Sequence, residues 1–139
     1  MTLKKKTAVI GASPLRIEGR DKVTGAATYV DDIQFGPNLL WGALKRSSIA
    51  HGMIVRIDVS KAKALPGVRV IVTGEDFPGL TGLYLKDRAI FAVDRVRYIG
   101  EAVAGVAADT LEIAQRAVEL IDVEYEELPG VFDPEWGSS

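Results

Sequence analysis

Between Asp109 and Glu126 the hydrophobic period of the chain switches from that of a helix to that of a strand, and this switch restricts the fold more than any other feature. Leu111, Ala114, Ala117, Val118 and Ile121 recur at helical spacing, with Glu112, Gln115, Arg116 and Glu119 on the opposite side. From Ile121 the period drops to two, and Ile121, Val123 and Tyr125 alternate with Asp122, Glu124 and Glu126. Neither an amphipathic helix nor a half-buried strand can bury its apolar side alone, so the two must share a layered core with further strands. Asp109 is read as the helix cap and Glu112 as its reciprocal partner, a D-x-x-E variant of the capping box.

The rest of the chain supplies those strands. Leu40 to Arg46 and Met53 to Val59 read as strands, the second with Met53, Val55, Ile57 and Val59 on one face and Ile54, Arg56 and Asp58 on the other. Ser60 is placed as the cap of a short helix over residues 61–65, stopped by Pro66-Gly67. Val68 to Thr73 is so rich in β-branched residues that both its faces are expected to be covered. Val103 to Ala108 is a strand of small residues in which Gly105 admits a close neighbour. Residues 27–30, 90–93 and 96–99 are brief β-prone pieces, Gly36-Pro37-Asn38 marks a turn, and residues 74–88 form the longest irregular stretch, expected to be functional or interfacial. The expected fold class is therefore α+β, a mixed β-sheet structure with one short and one longer helix. The expected layout is an extended lead-in over residues 1–20, one domain over 21–134 and a frayed end over 135–139.

Composition narrows the classes of function. A chain of 139 residues suits one domain with a proper core. With 47% hydrophobic and 26% charged residues and a formal net charge of -2, nothing points to a nucleic-acid partner. The basic run Lys4-Lys5-Lys6 reads as a solvated tail, and the aromatics are not interleaved with a basic patch. There is no cysteine, which removes disulfides, thiolate metal sites and thiol nucleophiles together. No stretch reaches the roughly 18 to 20 apolar residues of a membrane helix. Ala8 to Ala12 is too short for a signal-peptide core, so a cytoplasmic location is expected.

Motifs that would carry chemistry are missing or unpartnered. Neither G-x-x-x-x-G-K nor G-x-G-x-x-G occurs, and the glycines of Gly100 to Gly105 need only a turn reading. His51 is the sole histidine; set between Ala50 and Gly52, it is expected to hydrogen-bond backbone at a tight turn rather than act as a base. Asp31-Asp32, Glu75-Asp76 and Glu126-Glu127 are adjacent pairs, and neighbours on a strand point to opposite faces, so none makes a chelating pair. Ser47-Ser48 lies outside any nucleophile elbow. No catalytic, cofactor-binding or metal-binding residue is expected in this chain.

Three collinear segments nonetheless resemble a known family. Arg16 with DKVTGAATYVDDI (Asp21 to Ile33), LKRSSIAHGMIVRIDVSKAKALPGVRVIVTGED (Leu44 to Asp76) and FAVDRVRYIGEAVAGVAADTLEIAQRAVELIDVEYEELPGVFDP (Phe91 to Pro134) are similar to the N-terminal α/β hammerhead domain of xanthine dehydrogenase and aldehyde oxidase large subunits. The stretch from Gly74 through KDRAIFA looks most like the 4-hydroxybenzoyl-CoA reductase and carbon monoxide dehydrogenase branches, whose subunits are separate. A start at Met1 shortly before the hammerhead fits that organisation. The resemblance implies a molybdenum hydroxylase or reductase with molybdopterin in the remaining large-subunit domains, and [2Fe–2S] and FAD on partner subunits. The family's cofactor-holding residues and its glutamate base lie beyond Ser139, so the chain alone is expected to be inactive and to serve as a structural and subunit-interface domain. The family usually has proline where Ser48 stands, which loosens the turn before His51. Two other readings compete: an independent small-ligand or protein-binding module on a hammerhead fold, and a small enzyme using His51 with a nearby carboxylate.

Overall fold

The computed structural model describes residues 13–33 and 35–138. The Lys4 to Lys6 run and the apolar Ala8 to Ala12 lie outside the described residues. The chain divides into two units, residues 1–37 and 38–139. In the first, α1 (Gly19–Thr24) begins within the stretch expected to be extended. The β-prone run at 27–30 does not form a strand; Val30–Asp32 is a 3-10 turn. The Asp32 carboxylate accepts the Tyr29 amide at 2.9 Å, giving this backbone a local partner in place of a strand ladder.

In the second unit the elements run β1 (Trp41–Arg46), β2 (Gly52–Asp58), α2 (Ser60–Lys63), β3 (Val68–Thr73), β4 (Leu80–Thr81), β5 (Arg88–Ala89), β6 (Arg95–Val96), β7 (Ala102–Ala108), α3 (Leu111–Leu120) and β8 (Asp122–Glu127). They form two three-stranded sheets, β1–β7–β3 and β6–β2–β8, and a small β4–β5 hairpin, with every pairing antiparallel. This is the expected α+β arrangement, with one short and one longer helix. The hairpin lies at the end of the stretch read as irregular, closed by a bond from the Thr81 hydroxyl to the Arg88 carbonyl at 3.0 Å. Of the two β-prone pieces that follow, only Arg95–Val96 pairs.

Two apolar clusters hold the unit together. Ala117 and Ile121 of the α3 stripe close on Ala104 and Val106 of β7 and on Ala62 of α2. Ala92, Val96 and Val103 form the second cluster. Ile57 and Val123 pack against both, and they are cross-strand partners on β2 and β8, so one pair joins the two clusters. Gly105 fits the close approach its composition suggests: a Cβ there would sit 3.0 Å from the Phe91 ring and 3.2 Å from a Val72 methyl.

Four local expectations change. The strict alternation expected of β2 breaks at Val55, the extra residue of a bulge, since Ile54 faces Tyr125 while Arg56 faces Glu124. Ile54 and Ile57, assigned to opposite faces, therefore both reach the core, and Val55 is exposed. Ser60 does not cap α2; the Asp58 carboxylate accepts the Ser60 amide at 2.9 Å and also its hydroxyl. Those two bonds, helped by Arg56, hold the Asp58 carboxyl below its ordinary value. At α3 the cap is Thr110, whose hydroxyl accepts the Ile113 amide at 3.2 Å. Asp109 instead takes Arg69 in a two-point pair at 2.6 and 2.9 Å. Finally, β3 is not covered on both faces: it is an edge strand, and Val70 is 51% exposed.

The capping assignment predicts that Thr110→Ala costs about 1 kcal/mol of unfolding free energy in a urea titration, while Glu112→Ala costs almost nothing. Equal losses for the two variants would restore the D-x-x-E cap.

Candidate functional site

The β1–β7–β3 sheet is apolar on both faces; within this unit α3 covers one, and the other is covered only in part, by Phe91. Register places Ala43 and Lys45 of β1, Ala104 and Val106 of β7 and Ile71 of β3 on the side that meets α3. The other side carries Gly42 and Leu44, Gly105 and Ala107, and Val70 and Val72, with Phe91 lying over Gly105. No charged or polar side chain interrupts this set. Leu44 is 44% exposed and Val70 51%, so water meets a continuous apolar depression lined by all seven residues. An antiparallel sheet with a solvated face normally alternates apolar and polar residues, and an uninterrupted apolar face marks a surface that another element covers.

Lys45 explains how an ammonium fits on the covered side. Its Nζ donates to the Val118 carbonyl at 3.2 Å, in the last turn of α3, where unpaired carbonyls and the negative end of the helix dipole favour a cation. Lys45 was not foreseen from the sequence. Its signal was a lone lysine at the alternating position two residues after Ala43, on a strand face otherwise carrying only Trp41 and Ala43.

The residues weighed for chemistry are dispersed into structural roles. His51 Nδ1 lies 2.8 Å from the Pro129 carbonyl, and the Leu128 amide donates to the His51 carbonyl at 3.0 Å. The imidazole thus bonds backbone as expected, and ties the entry of β2 to the exit of β8. Ser47 is buried, and its hydroxyl donates to the Ile49 carbonyl at 2.8 Å and accepts the Ile49 amide at 3.2 Å, closing the turn without a proline at Ser48. Asp76 accepts the Thr73 amide at 2.7 Å and the Thr73 hydroxyl at 3.2 Å, so it ends β3. Glu126 and Glu127 stand exposed at the end of β8, opposite Met53 and Gly52. An open depression of about 540 Å³ beside His51 is bordered by Arg97, Tyr98, Ile99, Val131 and Phe132. Its walls are mainly apolar.

Among the described residues no three of histidine, cysteine, aspartate and glutamate come together in a way that could hold a metal. Neither G-x-x-x-x-G-K nor G-x-G-x-x-G occurs in the sequence. No described helix is long and apolar enough to cross a membrane.

The two three-stranded sheets, with α3 laid across one of them, define an α+β hammerhead domain. Residues 24–129 match the family model for the a/b hammerhead domain of aldehyde oxidase and xanthine dehydrogenase. The chain is 46% identical over 125 residues to a probable xanthine dehydrogenase subunit of Bacillus subtilis, covering 88% of this chain and 17% of that protein. It is 38% identical over 135 residues to the carbon monoxide dehydrogenase large chain of Afipia carboxidovorans, covering 94% of this chain and 17% of the relative. Carbon-monoxide-reduced Cu,Mo-CO dehydrogenase superposes with a TM-score of 0.79 at 39% identity, over 90% of this chain and 16% of the larger one. The aldehyde oxidoreductase from Desulfovibrio desulfuricans gives a TM-score of 0.78 at 31% identity, over 86% of this chain and 15% of that one. The chain belongs to the aldehyde oxidase and xanthine dehydrogenase family, as its hammerhead domain. It spans about a sixth of the length of these relatives.

Among the described residues one buried group has no partner. The Tyr125 hydroxyl is sequestered without a hydrogen bond, and burial pushes its phenol above the ordinary 10.0, with the nearby Ser47 hydroxyl pulling the other way. Tyr125→Phe should therefore hold or raise the thermal midpoint, since the desolvated hydroxyl is lost without stranding another group. The unfolded chain ionises first at this position, so stability falls as pH rises through 10.0 towards the higher folded value. A melting series at alkaline pH should show that decline blunted in the variant; a large drop in midpoint at neutral pH would reveal a bond to Tyr125.

Proposed function

We propose that this chain is the structural and subunit-interface domain of a molybdopterin-dependent hydroxylase or dehydrogenase large subunit. The uncovered apolar face of the β1–β7–β3 sheet carries the reading, because the same unit recurs as about a sixth of long molybdenum enzymes. A face without a charge suits a permanent interface. In this reading molybdopterin sits in the other large-subunit domains, [2Fe–2S] and FAD sit on partner subunits, and the assembly works in the cytoplasm. The contribution of residues 38–139 is to fix the position of those neighbours, with no proton or electron transferred through its own side chains.

Purification through an affinity tag on this chain from its native host tests the reading. Molybdenum, iron and flavin should co-purify in the material, read by metal analysis and visible absorbance. A preparation that carries none of the three overturns the proposal. His51→Ala in the same complex should weaken the tie at Pro129 and lower the thermal midpoint, yet leave kcat/KM within about twofold per molybdenum. A loss of several orders of magnitude at full molybdenum content would place catalysis in this chain instead.

A further inference from the structure

β8 ends the β6–β2–β8 sheet, so one of its sides pairs with β2 and the other pairs with no strand among the described residues. The register says which backbone groups face each way. The Leu128 amide donates to the His51 carbonyl, while the Ile54 amide points away from β8, to the Asp94 carbonyl. Alternation then turns Asp122, Glu124 and Glu126 towards β2. Val123, Tyr125 and Glu127 present their amides and carbonyls to the free side, where no other described element bonds them. The strand is regular there: the bulge at Val55 belongs to β2, and no proline or glycine interrupts Asp122–Glu127. Such a row of unpaired groups is a template for one more strand.

The side chains along this edge are sorted by charge. Asp122, Glu124 and Glu126 share one face of β8. On it Arg56 is drawn to Asp58, Asp122 and Glu124 at 3.0, 3.3 and 3.6 Å, and Arg95 stands on the far side of Met53. Carboxylates therefore outnumber guanidiniums, and Glu126 has no cation partner among the described residues. The opposite face of the edge borders an open polar groove of about 510 Å³ whose rim includes Ser48, Lys61 and Glu119.

We propose that the β8 edge pairs, antiparallel, with an extended basic segment of a partner polypeptide in which lysine or arginine alternates with serine or threonine. In that register the positions opposite Glu124 and Glu126 are the non-hydrogen-bonded ones, where side chains come closest, so a cation there gains most from a carboxylate. The intervening residues face the groove, and a hydroxyl can accept from Lys61 or donate to Glu119. A second copy of this chain does not supply the strand. β8 against β8 sets carboxylate against carboxylate. The β1 and β3 edges bring Lys45, Arg46 and Arg69, already bonded to Val118, Gly100 and Asp109. The inference is independent of the molybdenum assignment.

Two acetylated peptides of about nine residues test it on the full chain, one alternating threonine with lysine and the other threonine with glutamate. At low salt the lysine peptide should bind at least about tenfold more tightly, and most of that margin should vanish at high salt. Its binding should slow hydrogen exchange at the amides of Val123, Tyr125 and Glu127. Glu127→Pro removes an outward amide and no bond to β2, so the melting midpoint should hold while affinity falls about fivefold or more. Should that variant fail to fold, Glu126→Lys should bring the two peptides to within about twofold of each other. Equal affinities in the unaltered chain, slowed exchange confined to other segments, or binding that a folded Glu127→Pro or Glu126→Lys leaves untouched overturns the inference. So does the absence of binding by either peptide up to about 1 mM, which reduces the carboxylates to guards that keep other strands off.

Discussion

Ala117 on α3 meets Ala104 and Val106 on β7, all at most 4% exposed, and residues 38–139 are arranged around that contact. Small side chains let the helix lie low on the sheet, so Ile121 at its end is carried into the same cluster. The chain then turns directly into β8, whose Val123 meets Ile57 of β2 and fixes the second sheet against the first. Lys45 secures the end of α3 from below, through the Val118 carbonyl. A larger residue at Ala117 would lift the helix, and with it the start of β8. The pairing of the second sheet therefore depends on packing in the first.

Much of this was legible from Asp109 to Glu126, because both periods there are set by burial on one side. The stripe, the strand and their junction at Ile121 follow from that. Positions governed by a single local hydrogen bond were less legible. Thr110 and Asp109 are both good capping residues, and which of them caps depends on Arg69, forty residues away, which claims the Asp109 carboxylate. Asp58 likewise takes over a role assigned to Ser60 because its carboxylate reaches the amide two residues ahead. The Val55 bulge could not be read from β2 alone, since a bulge is a relation between β2 and β8.

The candidate surface was half legible, for a similar reason. The β-branched density of Val68 to Thr73 correctly marked a strand with apolar residues on two faces, and from that followed the expectation of two covers. Within residues 38–139 α3 covers one face, and the other is covered over Gly105 by Phe91. Periodicity reports how many faces are apolar, whereas the identity of what covers them belongs to whichever chain supplies it. His51 shows the opposite case. Its neighbours Ala50 and Gly52 suggested a turn, and the bond to backbone was foreseen, but its acceptor at Pro129 is far along the chain and only the fold brings it there.

On the proposed function, a domain built this way influences chemistry through position. Glu126 and Glu127 stand at an exposed strand end, its one histidine is bound to a carbonyl, and the buried Ser47 closes a turn. What it offers a neighbour is a stiff apolar surface whose shape is set by β7 and held from behind by α3. Stiffness matters because reacting groups misplaced by about 1 Å lose on the order of a hundredfold in rate. On the proposed function, then, substitutions behind the sheet, at Ala104 or Ala117, would reach a distant metal centre by tilting the surface its domains rest on. Substitutions on the uncovered face would act differently, by deciding whether those domains come to rest there at all.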